Sequence, residues 1–200
     1  MIQRIGIIGA GAIGCVVGGM LTRAGRDVTL VDQWPEHVEA MKRVGLRLSG
    51  TCGEHLVPVK ALHIHELQSV TRPFDAVFIA VKSYDTEWAT AMALPYLAPE
   101  GVVVDFQNGL NDARVAAVAG QHRTLGCVIT IGAGMYARSA MSWDKTSLSS
   151  IGGPTGRMSG CPASLPNWSI SSSISLLPME WWQPVLSSKR APRPDRHCCG

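Results

Sequence analysis

The first fourteen residues constrain this chain more than any other segment. An apolar run over residues 2–8 leads directly into G-A-G-A-I-G, which is Gly9-Ala10-Gly11-Ala12-Ile13-Gly14. The spacing G-x-G-x-x-G between a strand and a helix is typical of a turn that holds the pyrophosphate of a dinucleotide. Gly9 allows the tight turn, Gly11 lets the phosphates approach the backbone, and Gly14 lets the helix pack closely on the strand. We therefore predict that residues 9–14 bind a dinucleotide at the N-terminus of the following helix. A glycine turn selected only for packing is the alternative.

An acidic residue ends the second predicted strand. Asp32 follows D-V-T-L-V and lies 18 residues after Gly14, a spacing that fits the carboxylate that binds the adenosine ribose hydroxyls. A carboxylate would repel the 2′-phosphate of NADP, and neither Gln33 nor Trp34 offers a compensating positive charge. The sequence therefore favours NAD over NADP. The alternative role for Asp32 is to cap the turn that follows its strand.

Short apolar strands alternate with helices through residues 1–138, which indicates a Rossmann-type, doubly wound, mostly parallel sheet covered on both faces. Strands are predicted at residues 2–8, 27–31, 75–81, 102–106 and 124–131, with a pair of short strands within 46–62. Helices are predicted at residues 12–24, 35–44, 84–97 and 111–119, the third interrupted at Pro95.

Two polar markers follow later strands of the predicted sheet. Lys82 ends the strand that contains A-V-K, and Asn108 lies in Q-N-G-L directly after the next strand. Ligands of open parallel sheets bind at the carboxyl ends of the strands. A lysine there offers a cation for a carboxylate or phosphate, and an asparagine offers both a donor and an acceptor. The alternatives are a solvated strand end for Lys82 and a simple turn for Asn108.

Taken together, G-A-G-A-I-G, A-V-K and Q-N-G-L resemble the ketopantoate reductases (2-dehydropantoate 2-reductases) in order and spacing over residues 1–138. The resemblance implies NAD(P)H-dependent reduction of a 2-oxo acid, ketopantoate to pantoate, in the pathway to pantothenate and coenzyme A. It implies that Lys82 and Asn108 lie beside the nicotinamide and the substrate. It also implies that residues 126–130 form a strand leading toward the cleft.

The chain departs from the family pattern in two respects. The family mostly prefers NADPH, whereas Asp32 favours NAD. Family members also have an all-helical C-terminal domain, which supplies a lysine as general acid and a glutamate that binds the substrate. Lys145, Lys189 and Glu180 lack the helical sequence context expected of those residues, so no catalytic residue is assigned.

Composition changes sharply near residue 138. Residues 1–138 contain 17 Val and 3 Ser, whereas residues 139–200 contain 1 Val and 14 Ser. We therefore predict an NAD(P)-binding Rossmann domain over residues 1–138 and an irregular tail over residues 139–200. A truncated or frame-shifted region and a genuine disordered tail both account for the change, and the amino-acid sequence favours neither.

The net charge and the distribution of apolar residues argue against several other classes of protein. The net charge of +3 is too small and scattered for a nucleic-acid surface, and no apolar run approaches the roughly 18 residues of a membrane span. The six cysteines form no C-x-x-C pair, so we expect a cytoplasmic protein with reduced thiols. We expect no metal site, because His63 and His65 lack a third ligand and the adjacent Cys198 and Cys199 do not readily chelate one ion together. A homodimer is left open.

Three functions therefore remain for comparison. The first is a reductase of the ketopantoate type, with a small 2-oxo acid as its substrate. The second is a dinucleotide-binding fragment without catalytic activity of its own. The third is a Rossmann dehydrogenase of another type, acting on a glycerol phosphate or a hydroxy acid, and the paired A-V-K and Q-N-G markers argue against it.

Overall fold

A computed structural model describes residues 2–50, 53–138 and 167–173, and in this part of the chain ten strands and four α-helices follow one another. The strands are β1 (Arg4–Ile8), β2 (Asp27–Asp32), β3 (Leu46–Gly50), β4 (His55–Val57), β5 (Lys60–His63), β6 (Phe74–Ile79), β7 (Leu97–Asp105), β8 (Thr124–Gly126), β9 (Gly132–Arg138) and β10 (Asn167–Ser173). The helices are α1 (Ala12–Arg23), α2 (Pro35–Val44), α3 (Thr86–Ala93) and α4 (Asp112–Ala119).

Six strands form the main sheet in the order β5-β2-β1-β6-β7-β8, and every neighbouring pair is parallel. The chain runs outward from β1 to β2 and β5 and then returns to β6 on the other side of β1. The strand order therefore reverses between β1 and β6. In open α/β sheets, the crevice at the carboxyl ends of the strands beside such a reversal is where ligands bind.

Apolar side chains are buried on both faces of this sheet, as the near-continuous apolar strands predict. On one face the strands pack against α1 and α2, with buried residues that include Ile5, Ile7, Val16, Leu30, Val38 and Met41. On the other face they pack against α3 and α4, with buried residues that include Ile8, Val31, Val77, Ile79, Ala89 and Val115. The predicted doubly wound, mostly parallel α/β fold is confirmed.

A second sheet, in the order β4-β3-β10-β9, differs from the sequence prediction. β3 pairs antiparallel with β4 and parallel with β10, and β10 pairs antiparallel with β9. The predicted pair of strands within 46–62 is thus three strands, of which β5 belongs to the main sheet. β10 lies inside the segment predicted to be an irregular tail, and residues 139–166 and 174–200 lie outside the described residues.

The predicted strand over residues 124–131, including the strand at 126–130 implied by the family resemblance, is wrong in length. β8 ends at Gly126, and the next residues leave the sheet. Cys127, Ile129 and Ile131 instead pack against the core on the α1 face, while Val128 is 92% exposed. Alternation of apolar residues gave a strand signal, but these side chains pack against the core without the backbone pairing with a neighbouring strand.

The third predicted helix is shorter than expected for a local reason. α3 ends at Ala93, and residues Leu94–Tyr96 form a 3-10 turn that contains Pro95. Proline has no backbone N–H and its ring clashes with the preceding helical turn, so an α-helix does not continue through it. Among the described residues, none of the helices has the length and apolar character that crossing a bilayer requires.

Candidate functional site

The glycine turn, residues 9–14, joins β1 to α1, and two of its glycines have no room for a side chain. Gly9 has a φ of +98°, and a Cβ there would lie 2.8 Å from the backbone nitrogen of Val81. A Cβ on Gly14 would lie 1.9 Å from the carbonyl oxygen of Gly9. Gly9 and Gly14 therefore bring the turn, the helix and β6 closer together than side chains would allow.

Gly11, in contrast, has room for a side chain. A Cβ built on it meets nothing within 4 Å, so this side of the turn opens onto free space. Gly11 is the N-cap of α1 without a capping side-chain hydrogen bond, and the helix hydrogen bonds start with Cys15 N–H to the Gly11 carbonyl at 2.9 Å. The backbone N–H groups of Ala12, Ile13 and Gly14 thus have no acceptor within the helix. Free N–H groups at a helix N-terminus favour an anion, so the geometry is compatible with the pyrophosphate role predicted for residues 9–14, which stays a prediction.

Asp32 lies beside this turn at the end of β2. One carboxylate oxygen accepts the backbone N–H of Ala10 at 2.7 Å, and the other accepts the N–H of Trp34 at 2.9 Å. The capping role considered from the sequence is therefore present. Each carboxylate oxygen can accept a second hydrogen bond, so the ribose role predicted for Asp32 is compatible with this geometry and stays a prediction.

Lys82 and Asn108 both lie at the carboxyl edge of the main sheet, after β6 and β7. Both residues are exposed. Their segments are joined by the Ser83 hydroxyl, which donates to the Asn108 carbonyl at 3.3 Å. The structure thus brings the two markers to the carboxyl edge of the main sheet, the same edge that carries the glycine turn. Their roles toward a nicotinamide and a substrate stay predictions.

A buried glutamine holds the Lys82 segment in place. Gln107 is 7% exposed, and its amide nitrogen donates to the Val81 carbonyl at 2.9 Å. Its amide oxygen accepts the Thr86 hydroxyl at 3.0 Å. The Gln107 backbone N–H donates to Asp105 at 3.1 Å, and burial raises the pKa of that carboxyl group. One side chain therefore ties the end of β7 to both sides of the turn that carries Lys82.

We expect Gln107→Leu to destabilise the chain, because the change removes the donor to the Val81 carbonyl and one of the two acceptors of the Thr86 hydroxyl, which also donates to the Ser83 carbonyl at 2.7 Å. Loss of these bonds should lower the free energy of unfolding by about 2 kcal/mol, measured by urea unfolding. Thr86→Val is the companion variant: it removes the hydroxyl bonds to Gln107 and to the Ser83 carbonyl but keeps the Gln107 bond to the Val81 carbonyl, so it measures the contribution of the Thr86 hydroxyl separately. Equal stability of Gln107→Leu and the unsubstituted chain would contradict this role.

Three buried polar residues near this edge carried no signal in the sequence analysis. Cys15 and His37 lie beneath the glycine turn, and Asn111 donates to both Ser83 and the Asn108 carbonyl at 3.1 Å. Their partners Ala10 and Asn108 belong to the predicted site, but no sequence pattern indicates that these three side chains contact them. Only the position of Asn111 immediately before α4 could have indicated a local turn role.

His63 and His65 do not form part of this site. Their rings lie 4.5 Å apart between centroids, and His63 donates from Nε2 to the Gln33 carbonyl at 2.8 Å. Among residues 2–50, 53–138 and 167–173, no group of three or more His, Cys, Asp or Glu side chains is placed to hold a metal ion. Lys145, Lys189 and Glu180, to which the sequence assigns no catalytic role, and Cys198 and Cys199, to which it assigns no metal, lie outside the described residues.

The family model for ketopantoate reductase, PanE/ApbA, matches residues 5–152. The chain belongs to this family. The ketopantoate reductase family consists of NAD(P)H-dependent oxidoreductases with a dinucleotide-binding fold, so the resemblance noted from G-A-G-A-I-G, A-V-K and Q-N-G-L is confirmed.

Similar curated proteins carry the same family name. The 2-dehydropantoate 2-reductase of Archaeoglobus fulgidus is 33% identical over 161 residues, which cover 80% of this chain and 50% of that protein. That of Pyrococcus abyssi is 32% identical over 155 residues, covering 75% and 47%. The chain therefore spans about half the length of the curated relatives it matches.

Solved structures support the same assignment. The PanE/ApbA family ketopantoate reductase from Ralstonia eutropha JMP134 matches with a TM-score of 0.53 and 34% identity, covering 68% of this chain and 42% of that one. D-mandelate dehydrogenase, solved with NADH and anilino(oxo)acetate, matches with a TM-score of 0.60 and 23% identity, covering 66% and 42%. The second likeness shows a shared fold alone.

Proposed function

We propose that residues 1–138 bind a reduced nicotinamide dinucleotide and form the cofactor half of an enzyme that reduces a 2-oxo acid, with ketopantoate as the substrate. One observation carries the proposal: the open space at Gly11 lies in front of an uncapped helix N-terminus, in a chain of the ketopantoate reductase family. The proposed setting is pantothenate and coenzyme A biosynthesis in the cytoplasm.

Each part of the carboxyl edge has a task in this proposal. A bound reduced nicotinamide supplies a hydride to the keto carbon. The N–H groups at the start of α1 hold the pyrophosphate, and Asp32 holds the adenosine ribose. Lys82 is a cation suited to the negative charge of a 2-oxo acid, and Asn108 can hydrogen-bond a hydroxyl or a carboxamide.

The proposed cofactor is NADH rather than NADPH. Asp32 is held next to the turn by two backbone N–H groups, so its charge cannot move far from a bound ribose. A 2′-phosphate placed there would meet a fixed carboxylate in a partly buried position, where like charges repel strongly. Among the described residues around Asp32, the neighbouring Gln33 and Trp34 carry no positive charge that would offset this repulsion.

We expect the unsubstituted chain to bind NADH about tenfold more tightly than NADPH, which corresponds to about 1.4 kcal/mol. Asp32→Asn should narrow that preference, because an asparagine keeps an acceptor for the Ala10 N–H and removes the charge. Fluorescence titration with both cofactors measures the ratio. The matched control is Asp75→Asn, which neutralises a carboxylate that accepts the Gln3 and Arg4 N–H groups at the amino end of β1. Tighter binding of NADPH by the unsubstituted chain would contradict the assignment.

A cofactor-binding polypeptide without reductase activity of its own is the second candidate function. The described residues contain three lysines, Lys42, Lys60 and Lys82, and only Lys82 follows the carboxyl end of a strand in the main sheet. Lys42 pairs with Glu66 and Lys60 pairs with Asp27. Among the described residues, therefore, Lys82 is the one lysine at the carboxyl edge where a general acid would be needed. Titration with NADH followed by a turnover assay with ketopantoate separates the two candidates, since only an active reductase passes both.

A further inference from the structure

The carbonyl group of Ala10, in the middle of the glycine turn, is bound from inside the protein by two side chains. The Cys15 thiol donates to this oxygen at 2.9 Å, and His37 Nε2 lies 2.9 Å from the same oxygen. The two donor atoms are 3.5 Å apart. Ala10 and Cys15 are fully buried, and His37 is 1% exposed. We name this pair of side chains, Cys15 and His37, the Ala10 clamp.

The chemistry of the acceptor fixes the protonation of both donors. A backbone carbonyl only accepts hydrogen bonds, and it can accept two. His37 therefore carries a proton on Nε2, and Cys15 contributes its S–H. Burial raises the pKa of the Cys15 thiol, and the nearby charge of Asp32 raises it further. The thiol thus stays protonated and remains a donor at ordinary pH.

The inward direction of the Ala10 carbonyl determines the direction of the Gly11 N–H. The described residues contain no cis peptide bond, and in a planar trans peptide the carbonyl and the following N–H point in opposite directions. The Ala10 oxygen points into the protein toward the clamp. The Gly11 N–H consequently points away from the clamp, at a residue where a Cβ would meet nothing within 4 Å.

This peptide needs an anchor because it adjoins a glycine. Gly11 adopts either sign of φ at little cost, so the Ala10–Gly11 peptide plane could rotate without a steric barrier from a side chain at Gly11. Rotation would place the Ala10 carbonyl, with its partial negative charge, where the N–H now points. Asp32 fixes only the preceding peptide, through the Ala10 N–H at 2.7 Å. The Ala10 clamp is what holds the next one.

We propose that Cys15 and His37 are positioning residues, which lock the Ala10–Gly11 peptide so that the Gly11 N–H faces the pyrophosphate of a bound dinucleotide. The inference rests on the proposed dinucleotide binding, and it adds two buried residues of α1 and α2 that do not themselves touch the cofactor. Because the pyrophosphate is common to NADH and NADPH, the clamp supports both cofactors equally and leaves the choice between them to Asp32.

The test compares variants that lose a donor with variants that keep one. Cys15→Ala and His37→Leu remove the donors, whereas Cys15→Ser and His37→Gln retain an O–H or N–H that reaches the same oxygen. Each is made in the 200-residue chain and titrated with NADH and with NADPH, with the folded fraction measured by circular dichroism. Val16→Ala is the matched control, since Val16 is equally buried on α1 and lies outside the clamp.

We expect each donor-free variant to bind both cofactors about 3- to 10-fold more weakly, with the NADH-to-NADPH ratio unchanged. Cys15→Ser and His37→Gln should recover most of the loss. Val16→Ala should lower stability and leave the affinity of the folded protein unchanged. In addition, the Gly11 amide resonance should shift on adding inorganic pyrophosphate to the unsubstituted chain and shift less in Cys15→Ala.

The outcomes separate the clamp from the function on which it rests. If the unsubstituted chain binds dinucleotide and both donor-free variants bind it equally well, the clamp is wrong and the proposed function stands. If the unsubstituted chain binds neither cofactor, the proposed function fails and the clamp fails with it. If His37→Leu does not fold, Cys15→Ala and the Gly11 resonance decide the matter, since that substitution removes only one sulfur atom.

Discussion

The Gly11→Val variant is expected to fold like the unsubstituted chain and to lose dinucleotide binding by about 100-fold or more, which corresponds to about 2.7 kcal/mol. Gly11 has φ −72° and ψ −166°, an extended conformation that valine adopts readily. Its side chain would enter space that no described atom occupies within 4 Å of the Cβ. The added methyl groups would instead occupy the position of a bound pyrophosphate. Fluorescence titration with NADH, together with a urea unfolding curve, measures both effects.

Gly14→Ala provides the contrasting control within the same turn. A Cβ at Gly14 would lie 1.9 Å from the Gly9 carbonyl oxygen, so α1 and the turn must move apart. We expect this smaller substitution to lower the free energy of unfolding by about 3 kcal/mol, whereas Gly11→Val should change it by less than about 1 kcal/mol. Unchanged NADH affinity in a well-folded Gly11→Val variant would show that this turn does not bind the cofactor.

The main sheet could be predicted because its signals are local. The strands β1, β2 and β6 and the second half of β7 are apolar runs bounded by glycine or polar residues, and such runs indicate buried parallel strands. α2 was predicted with the bounds it has in the structure, Pro35–Val44. Proline in its first turn and Gly45 after its last residue give unambiguous start and stop signals. Gly45 adopts a φ of +86°, which favours glycine strongly.

The second sheet could not be predicted in the same way. β3 pairs with β10, which lies more than a hundred residues later in the chain, and no local pattern encodes such a partner. Residues 127–131 alternate in burial as a strand would, yet they pack on the core beside α1. A period of two shows which side chains turn inward. It does not show whether the backbone pairs with a neighbouring strand.

For the candidate site, the sequence indicated the backbone turn and the sequence positions of the polar markers but not what supports them. Gly9, Gly11 and Gly14 follow from spacing, because each has a steric role that the pattern encodes. The Cys15 and His37 contacts with Ala10 join residues up to 27 positions apart, and Gln107 reaches Val81 across 26 positions. Such contacts depend on how α1, α2 and the sheet pack together, which is decided only in the folded chain.

The second large effect concerns turnover. We expect the 200-residue chain, assayed alone, to bind NADH and yet to reduce ketopantoate at close to the uncatalysed rate. Reduction of a keto group needs a proton for the oxygen as well as a hydride for the carbon, and general acid catalysis contributes about 10²- to 10⁴-fold. The family resemblance assigns that acid to a lysine in a helical domain. Among the described residues, the lysine at this edge of the sheet is Lys82, and the resemblance places it beside the nicotinamide and the substrate rather than assigning it the role of this acid.

Exposure of the site to water adds to the expected loss of reduction rate. Lys82 and Asn108 are exposed, so water reaches the edge where substrate would bind, and orientation and exclusion of water contribute further to reductase rates. The assay follows NADH absorbance at a ketopantoate concentration that saturates a curated relative, such as the enzyme of Archaeoglobus fulgidus, run in parallel. A rate within tenfold of that relative would overturn the prediction. In that case Lys82→Ala, Lys145→Ala and Lys189→Ala would identify the acid, because only the variant that lacks it should lose turnover while retaining NADH binding.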